Sequence, residues 1–122
     1  MGEAIRLTSG ADGFSFGAYH APAEDARRGG LVLIQEIFGV TDHIRELADG
    51  YAADGYETIA PSLYDRRHPD FAAGYGADDV AEGVRLSQAT PWDEVASDLA
   101  AAVAALQPPV FVAGFCWGGT AT

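Results

Sequence analysis

One cysteine, three histidines and seven basic residues are all that this chain of 122 residues offers for thiol, imidazole and cationic chemistry. Each scarcity closes off a class of function. A single cysteine, Cys116, allows no internal disulfide, which suits a reducing cytoplasm. Seven basic against eighteen acidic residues leave a net charge of −11, which repels polyanions, and no local basic stripe offsets it, so nucleic acid is not an expected partner. The dense basic pairs, Arg27-Arg28 and Arg66-Arg67, sit in polar stretches that read as solvated turns. His20, His43 and His68 show no metal-ligand spacing with one another or with Cys116, and neither metal nor cofactor is implied. The longest apolar run, Leu99 to Leu106, is too short to cross a bilayer. Met1-Gly2-Glu3-Ala4 has neither the basic start nor the apolar centre of a signal peptide, and Arg6 breaks the myristoylation pattern.

What is present is an alternation of strand and helix patterns without repeats or a domain boundary, expected to form one α/β unit over residues 1–122. Ala4 to Leu7 and Phe14 to Tyr19 flank a Gly-Ala-Asp-Gly turn and predict an antiparallel hairpin. Ala21 to Gly30 carries no apolar period and reads as an exposed connection. Leu31 to Ile34 is four consecutive apolar residues, the pattern of a parallel strand covered on both faces. Thr41 is placed to cap a helix whose Ile44, Leu47, Ala48, Tyr51 and Ala52 share a face, with Gly55 to end it. Tyr56 to Ala60 is the next strand, stopped by Pro61.

From Ser62 to Gly76 no period of either kind survives, so a long loop of lid or binding type is expected there. Asp78 to Gln88 predicts a short helix. Thr90-Pro91-Trp92-Asp93 predicts another, with Thr90 as the cap, Pro91 in the first position and Trp92, Val95, Ala96, Leu99, Val103 and Leu106 on the buried face. Pro108-Pro109 stop the chain before the last apolar strand.

That strand carries the chemistry. Val110 to Thr120 reads Val-Phe-Val-Ala-Gly-Phe-Cys-Trp-Gly-Gly-Thr, an apolar β run ending in a cysteine with glycine at minus two, plus two and plus three. A strand that turns at once into a helix forces its corner residue into strained geometry and demands small neighbours, which Gly114 and Gly118 supply. The corner side chain then stands clear of the sheet, and the amides opening the next helix face the place where negative charge would gather. A thiol there can ionise and attack a carbonyl. A cysteine that merely fills a core is the common case, but it needs no flanking glycines. Gln35-Glu36-Ile37-Phe38-Gly39 follows the Leu31 strand as the elbow follows its own. In an open parallel sheet the carboxyl ends of the strands form the ligand site, so the two loops are expected to converge. Glu36 would accept a proton or orient the thiol, and the amide of Ile37 would pair with that of Trp117 as an oxyanion hole. His43, at the start of its helix, is the one histidine placed to approach such a site.

These residues carry a family resemblance. Leu31 to Tyr51 with Gln-Glu-Ile-Phe-Gly-Val and Arg45-Glu46-Leu47-Ala48, then Ala60-Pro61-Ser62-Leu63-Tyr64, then Gly114-Phe115-Cys116-Trp117-Gly118-Gly119, resemble the dienelactone hydrolase (carboxymethylenebutenolidase) family over nearly the whole chain. The resemblance implies an α/β-hydrolase fold, a mostly parallel sheet flanked by helices. It also implies Cys116 as the nucleophile toward a small-molecule lactone or ester carbonyl, Glu36 as the partner that assists its ionisation, and the amides of Ile37 and Trp117 as the oxyanion hole. Family members acting on dienelactone hold its carboxylate with arginine, for which Arg66, Arg67 and Arg85 are the candidates here.

The fold orders its triad as nucleophile, then acid, then histidine, and only five residues follow Trp117, none of them an acid or a histidine. The expectation is an amino-terminal portion of a hydrolase domain, truncated after the elbow. Its whole protein would be a cysteine hydrolase, and the alternative is a catalytically silent fragment or binding scaffold. Such a fragment would expose the Val110 strand as an open edge and be prone to associate.

Overall fold

The computed structural model describes residues 2–24, 26–69, 71–74 and 76–114. The predicted hairpin is present as β1 (Glu3–Thr8) and β2 (Ser15–Ala21), antiparallel with Glu3 opposite His20 and Thr8 opposite Ser15. Gly13 closes it at φ 72°, a left-handed conformation that glycine adopts without steric cost. The covered strand is β3 (Gly29–Ile34), and all six of its residues are buried. Its start corrects the expected exposed connection, because Gly29 and Gly30 already pair with Tyr56 and Glu57 of β4 (Tyr56–Pro61). Pro61 closes β4 rather than lying outside it. It pairs with Ala18 at the strand's end, where a missing N–H is tolerated.

Helix α1 (Asp42–Ala53) starts as the sequence predicts: the Thr41 hydroxyl accepts the amide of Ile44 at 3.4 Å, and Asp42 places negative charge at the positive end of the helix. Gly55 ends it at φ 97°, where an added Cβ would lie 2.9 Å from the Ala26 carbonyl oxygen. Two helices, α2 (Ala77–Ala89) and α3 (Trp92–Ala104), connect β4 to β5 (Val110–Gly114). The sheet order is β1-β2-β4-β3-β5, with the hairpin side antiparallel and β4-β3-β5 parallel.

Because strand side chains alternate between faces, β3 and β4 serve two cores. Val32, Ile34 and Ile59 pack with Val95, Ala102 and Leu106 on the α3 side, whereas Leu33 and Ala60 pack with Ile44, Ala48 and Ala52 on the α1 side. Each large apolar side chain so buried stabilises the fold by about 1.5–3 kcal/mol. β5 is the edge strand among the described residues, and Phe111 and Val112 are exposed on it.

Two sequence expectations for α3 are corrected. Thr90 is not its cap. The Thr90 hydroxyl donates to the Leu86 carbonyl at 2.7 Å, closing α2 instead, and Pro91 occupies the cap position of α3 with no side-chain bond. The buried face is also rotated. Trp92 is 51% exposed and Val103 is exposed as well, while Asp98 is 2% exposed beside Val95 and Ala102. A charged residue takes an inward position because Arg66 reaches it there.

Candidate active site

Ile34, the last residue of β3, pairs with Gly114, the last of β5. The strands are parallel and adjacent, so their carboxyl ends open at one point, where the connections of a parallel sheet leave a crevice. Glu36 lies two residues beyond Ile34, and Cys116 lies two residues along the chain from Gly114. Cys116 and Trp117 fall outside the described residues.

The Glu36 loop is held from three directions. Gln35, only 1% exposed, accepts the Leu63 amide with its side-chain oxygen at 2.8 Å and donates from Nε2 to the Glu36 carbonyl at 3.2 Å. One buried amide thus ties the connection after β3 to the connection after β4. The chain then folds back on itself, with the Gly39 amide donating to the Glu36 carbonyl at 3.1 Å. Gly39 sits at φ 84° against residues 71–73, and an added Cβ would lie 2.0 Å from the Phe71 carbonyl oxygen. The Ala73 amide donates to Phe38 O at 2.9 Å from the same side. From the third side comes α2: Gly83 lets the Ile37 carbonyl approach so closely that a Cβ there would be 2.6 Å away. Glu36, Ile37 and Phe38 are left half-buried at the surface of this bracket.

The stretch that reads as a patternless loop is anchored at its start. Leu63, Tyr64 and Asp65 are buried. The Tyr64 hydroxyl donates to the Gly83 carbonyl at 3.4 Å, and burial pushes its pKa up, with Gln35 and Ser87 opposing as hydrogen-bond partners. Asp65 accepts the Gly17 amide at 2.6 Å, fixing the connection after β4 to the hairpin. Gln35 and Asp65 brace these connections, Gln35 standing in the motif read from the sequence without a role of its own and Asp65 lying in the stretch read as a loop. The signal available for Gln35 was a polar residue directly following four buried ones.

The three candidate arginines are each engaged by carboxylates of their own chain. Arg66, 12% exposed, binds Asp98 at 2.9 Å and Asp12 at 2.5 Å, and its guanidinium stacks 4.5 Å from the Phe14 ring centroid. Arg67 binds Glu94 at 2.7 Å, and Arg85 binds Glu82 one turn before it on α2 at 2.5 Å. The Arg66 hydrogen bond, reinforced by the Phe14 amide, holds the Asp12 carboxyl below its ordinary range, and Arg67 does the same for Glu94. His43 is exposed in the first turn of α1, and His20 is committed to Glu57 at 2.8 Å. Among the described residues no group of His, Cys, Asp and Glu could hold a metal ion, and no helix is long and apolar enough to cross a membrane.

A β1-β2-β4-β3-β5 sheet with a helix layer on each side, an antiparallel start and a crevice at the ends of its parallel strands is the amino-terminal architecture of the α/β-hydrolase fold. Residues 16–122 match the profile of the Dienelactone hydrolase family, and the chain belongs to that family. It is 40% identical over 96 residues to a Synechocystis protein named "Putative carboxymethylenebutenolidase", covering 73% of this chain and 39% of that one. To the carboxymethylenebutenolidase of Pseudomonas putida it is 34% identical over 115 residues, covering 88% of this chain and 49% of that one. The crystal structure of a "Putative Dienelactone Hydrolase" from Klebsiella pneumoniae subsp. pneumoniae superposes with a TM-score of 0.71 at 31% identity, over 96% of this chain and 52% of that one. The chain therefore spans about half the length, or less, of these relatives.

Proposed function

We propose that the whole protein hydrolyses a lactone or small carboxylic ester with Cys116 as nucleophile. The observation that supports this is the Ile34–Gly114 pair, which brings the carboxyl ends of β3 and β5 side by side beneath a Glu36 loop braced by Gln35, Gly39 and Gly83. In this reading the thiol proton passes to Glu36 and the thiolate sulfur attacks the carbonyl carbon. The carbonyl π electrons move onto oxygen, which accepts hydrogen bonds from the amides of Ile37 and Trp117. Collapse of that tetrahedral species breaks the ester C–O bond, the leaving alkoxide takes back the proton held by Glu36, and an acyl thioester remains on sulfur. Water then adds to the thioester carbon, releasing the carboxylic acid and restoring the thiol. The contacts that brace the Glu36 loop support this reading, because a general base contributes only when it is held at hydrogen-bond reach of the proton it takes.

Holding a substrate carboxylate would require Arg66, Arg67 or Arg85 to share or leave its present acidic partner. Arg85, the most exposed of the three, is the one with least to give up.

The test is the rate of alkylation of Cys116 by iodoacetamide near neutral pH, with and without a hydrolysable lactone. An activated nucleophile reacts faster than an unperturbed thiol and is protected by substrate. Equal labelling in both conditions would remove Cys116 from that role.

A further inference from the structure

All seven basic residues of this acidic chain are arginines. Four of them, Arg27, Arg66, Arg67 and Arg85, are bound to carboxylates that are 52% exposed or less. Arg6 differs. Its Nε donates to the Ser15 hydroxyl at 3.2 Å and one terminal nitrogen donates to the Ser15 carbonyl at 3.0 Å, and no acid of the described residues lies in ion-pair range of it. The neighbouring positions explain what these bonds achieve. Arg6 pairs across the sheet with Gly17, and the Gly17 carbonyl accepts the Ser62 amide, so Arg6, Gly17 and Ser62 form a row across three segments. Gly17 contributes no side chain to that row, and its amide donates to the buried Asp65 carboxylate at 2.6 Å.

The start of α1 supplies the opposite wall. Val40 and Arg45 flank the row across an open notch of about 280 Å³, with Tyr19 along its side. The Arg45 guanidinium lies over the Tyr19 ring, 6.0 Å from its centroid. Its sole carboxylate partner among the described residues is Asp42, one turn before it at 3.0 Å, which is 95% exposed. A pair of that kind contributes about 0–1 kcal/mol and gives way readily to a better anion. No acidic side chain is among the described residues lining the notch.

We propose that this notch binds a small oxyanion, a carboxylate or a phosphate monoester, between the guanidiniums of Arg6 and Arg45 with Ser62 as a third donor. Planar guanidiniums present paired N–H groups that match the spacing of two oxyanion oxygens, an attraction that the chain's overall net charge of −11 does not itself supply. Ser15 holds Arg6 in place, so less side-chain freedom is lost when the anion arrives. The site does not depend on the hydrolytic reading, since none of its three donors belongs to the Glu36 loop. It is adjacent to that loop through Val40 and through Ser62, which precedes the Leu63 amide bonded to Gln35.

The experiment is titration of the isotope-labelled protein with inorganic phosphate and, separately, with sodium acetate, at ionic strength fixed with sodium chloride, following the Arg Nε–H and the Ser62 and Gly17 amide resonances. Saturable shifts of these groups with either oxyanion are expected, and the one that saturates at lower concentration identifies the preferred group. Arg6→Gln and Arg45→Gln should each weaken binding about tenfold, Arg6→Lys less, and Arg28→Gln, on another part of the surface, not at all. Both site arginines project from the surface, and the far-ultraviolet spectrum of each variant checks that it folds. Linear, unsaturating shifts with both anions, or saturation that survives in the Arg6→Gln/Arg45→Gln double variant, would overturn the assignment.

Discussion

Replacing Arg66 with methionine separates a structural arginine from a substrate-binding one. Methionine keeps an unbranched apolar stem but deletes the guanidinium, which now bonds Asp98 at 2.9 and 3.4 Å. Asp98 is 2% exposed and Arg66 12%, so the variant leaves a carboxylate on the inner face of α3 without its cation. Removing one partner of a buried pair costs about 3–5 kcal/mol, because the remaining charge has lost both its water and its counterion. The lower end applies here, as Arg66 keeps some contact with solvent. A loss of about 3 kcal/mol shifts the folding equilibrium by roughly a hundredfold. Equilibrium unfolding in urea, followed by circular dichroism, reads it directly. The double variant Arg66→Met/Asp98→Leu should recover most of the loss, since an apolar pair needs no solvation. A destabilisation below about 1 kcal/mol for the single variant would refute the argument, as would a double variant no more stable than the single. A rise in KM at unchanged stability would instead assign Arg66 to substrate.

Gly39→Ala is expected to destabilise the protein by at least about 1–3 kcal/mol, because φ 84° is strained for alanine and the Phe71 carbonyl oxygen occupies the space of its Cβ; a melting temperature within a degree of the parent would contradict this. Glu36→Gln should lower turnover of a lactone by about tenfold or more while leaving the melting temperature unchanged, since the amide keeps the shape but cannot take a proton. For Glu57, burial opposes ionisation, but His20 and Arg27 outweigh it and hold the carboxyl below its ordinary range, as Arg67 does for Glu94. A group with a depressed folded-state pKa stabilises the fold above its unfolded value near 4.5, and that contribution is lost as pH falls through the folded value. Urea midpoints should therefore drop on the acid side of about pH 4.5, and Arg67→Met should flatten the drop; a midpoint independent of pH down to 3 would refute this.

The parts of the fold legible in the sequence are those set by local rules. Four branched apolar residues from Leu31 announced a strand covered on both faces, and Thr41 with Gly55 bounded α1 because capping and left-handed glycine are short-range effects. What stayed hidden depends on partners distant in the chain. Helical spacing put Trp92 and Val103 inside α3, but the face is decided by Asp98, whose cation lies 32 residues earlier. Thr90 followed by Pro91 reads as a cap, yet its hydroxyl is nearer the Leu86 carbonyl behind it. Leu63 and Tyr64 were lost in an aperiodic stretch because their burial comes from Gln35 and α2, not from periodicity. At the candidate site, residue type and spacing pointed to the Glu36 loop and to an elbow at Cys116, which lies outside the described residues, and the strand register shows the ends of β3 and β5 to be neighbours. The brace beneath Glu36 needed the structure, since it joins residues 28 apart.

If the connections after β3 and β5 form one nucleophilic site with Cys116 at its centre, that cysteine carries the acyl group of the substrate during turnover. Acid quenching of the protein during turnover of a lactone, followed by intact-mass measurement and peptide mapping, tests it most directly. The expected result is a mass increase equal to one acyl group, carried by the peptide containing Cys116 and absent from Cys116→Ala. Turnover that persists in Cys116→Ala, or an acyl group mapped to any other residue, would contradict it.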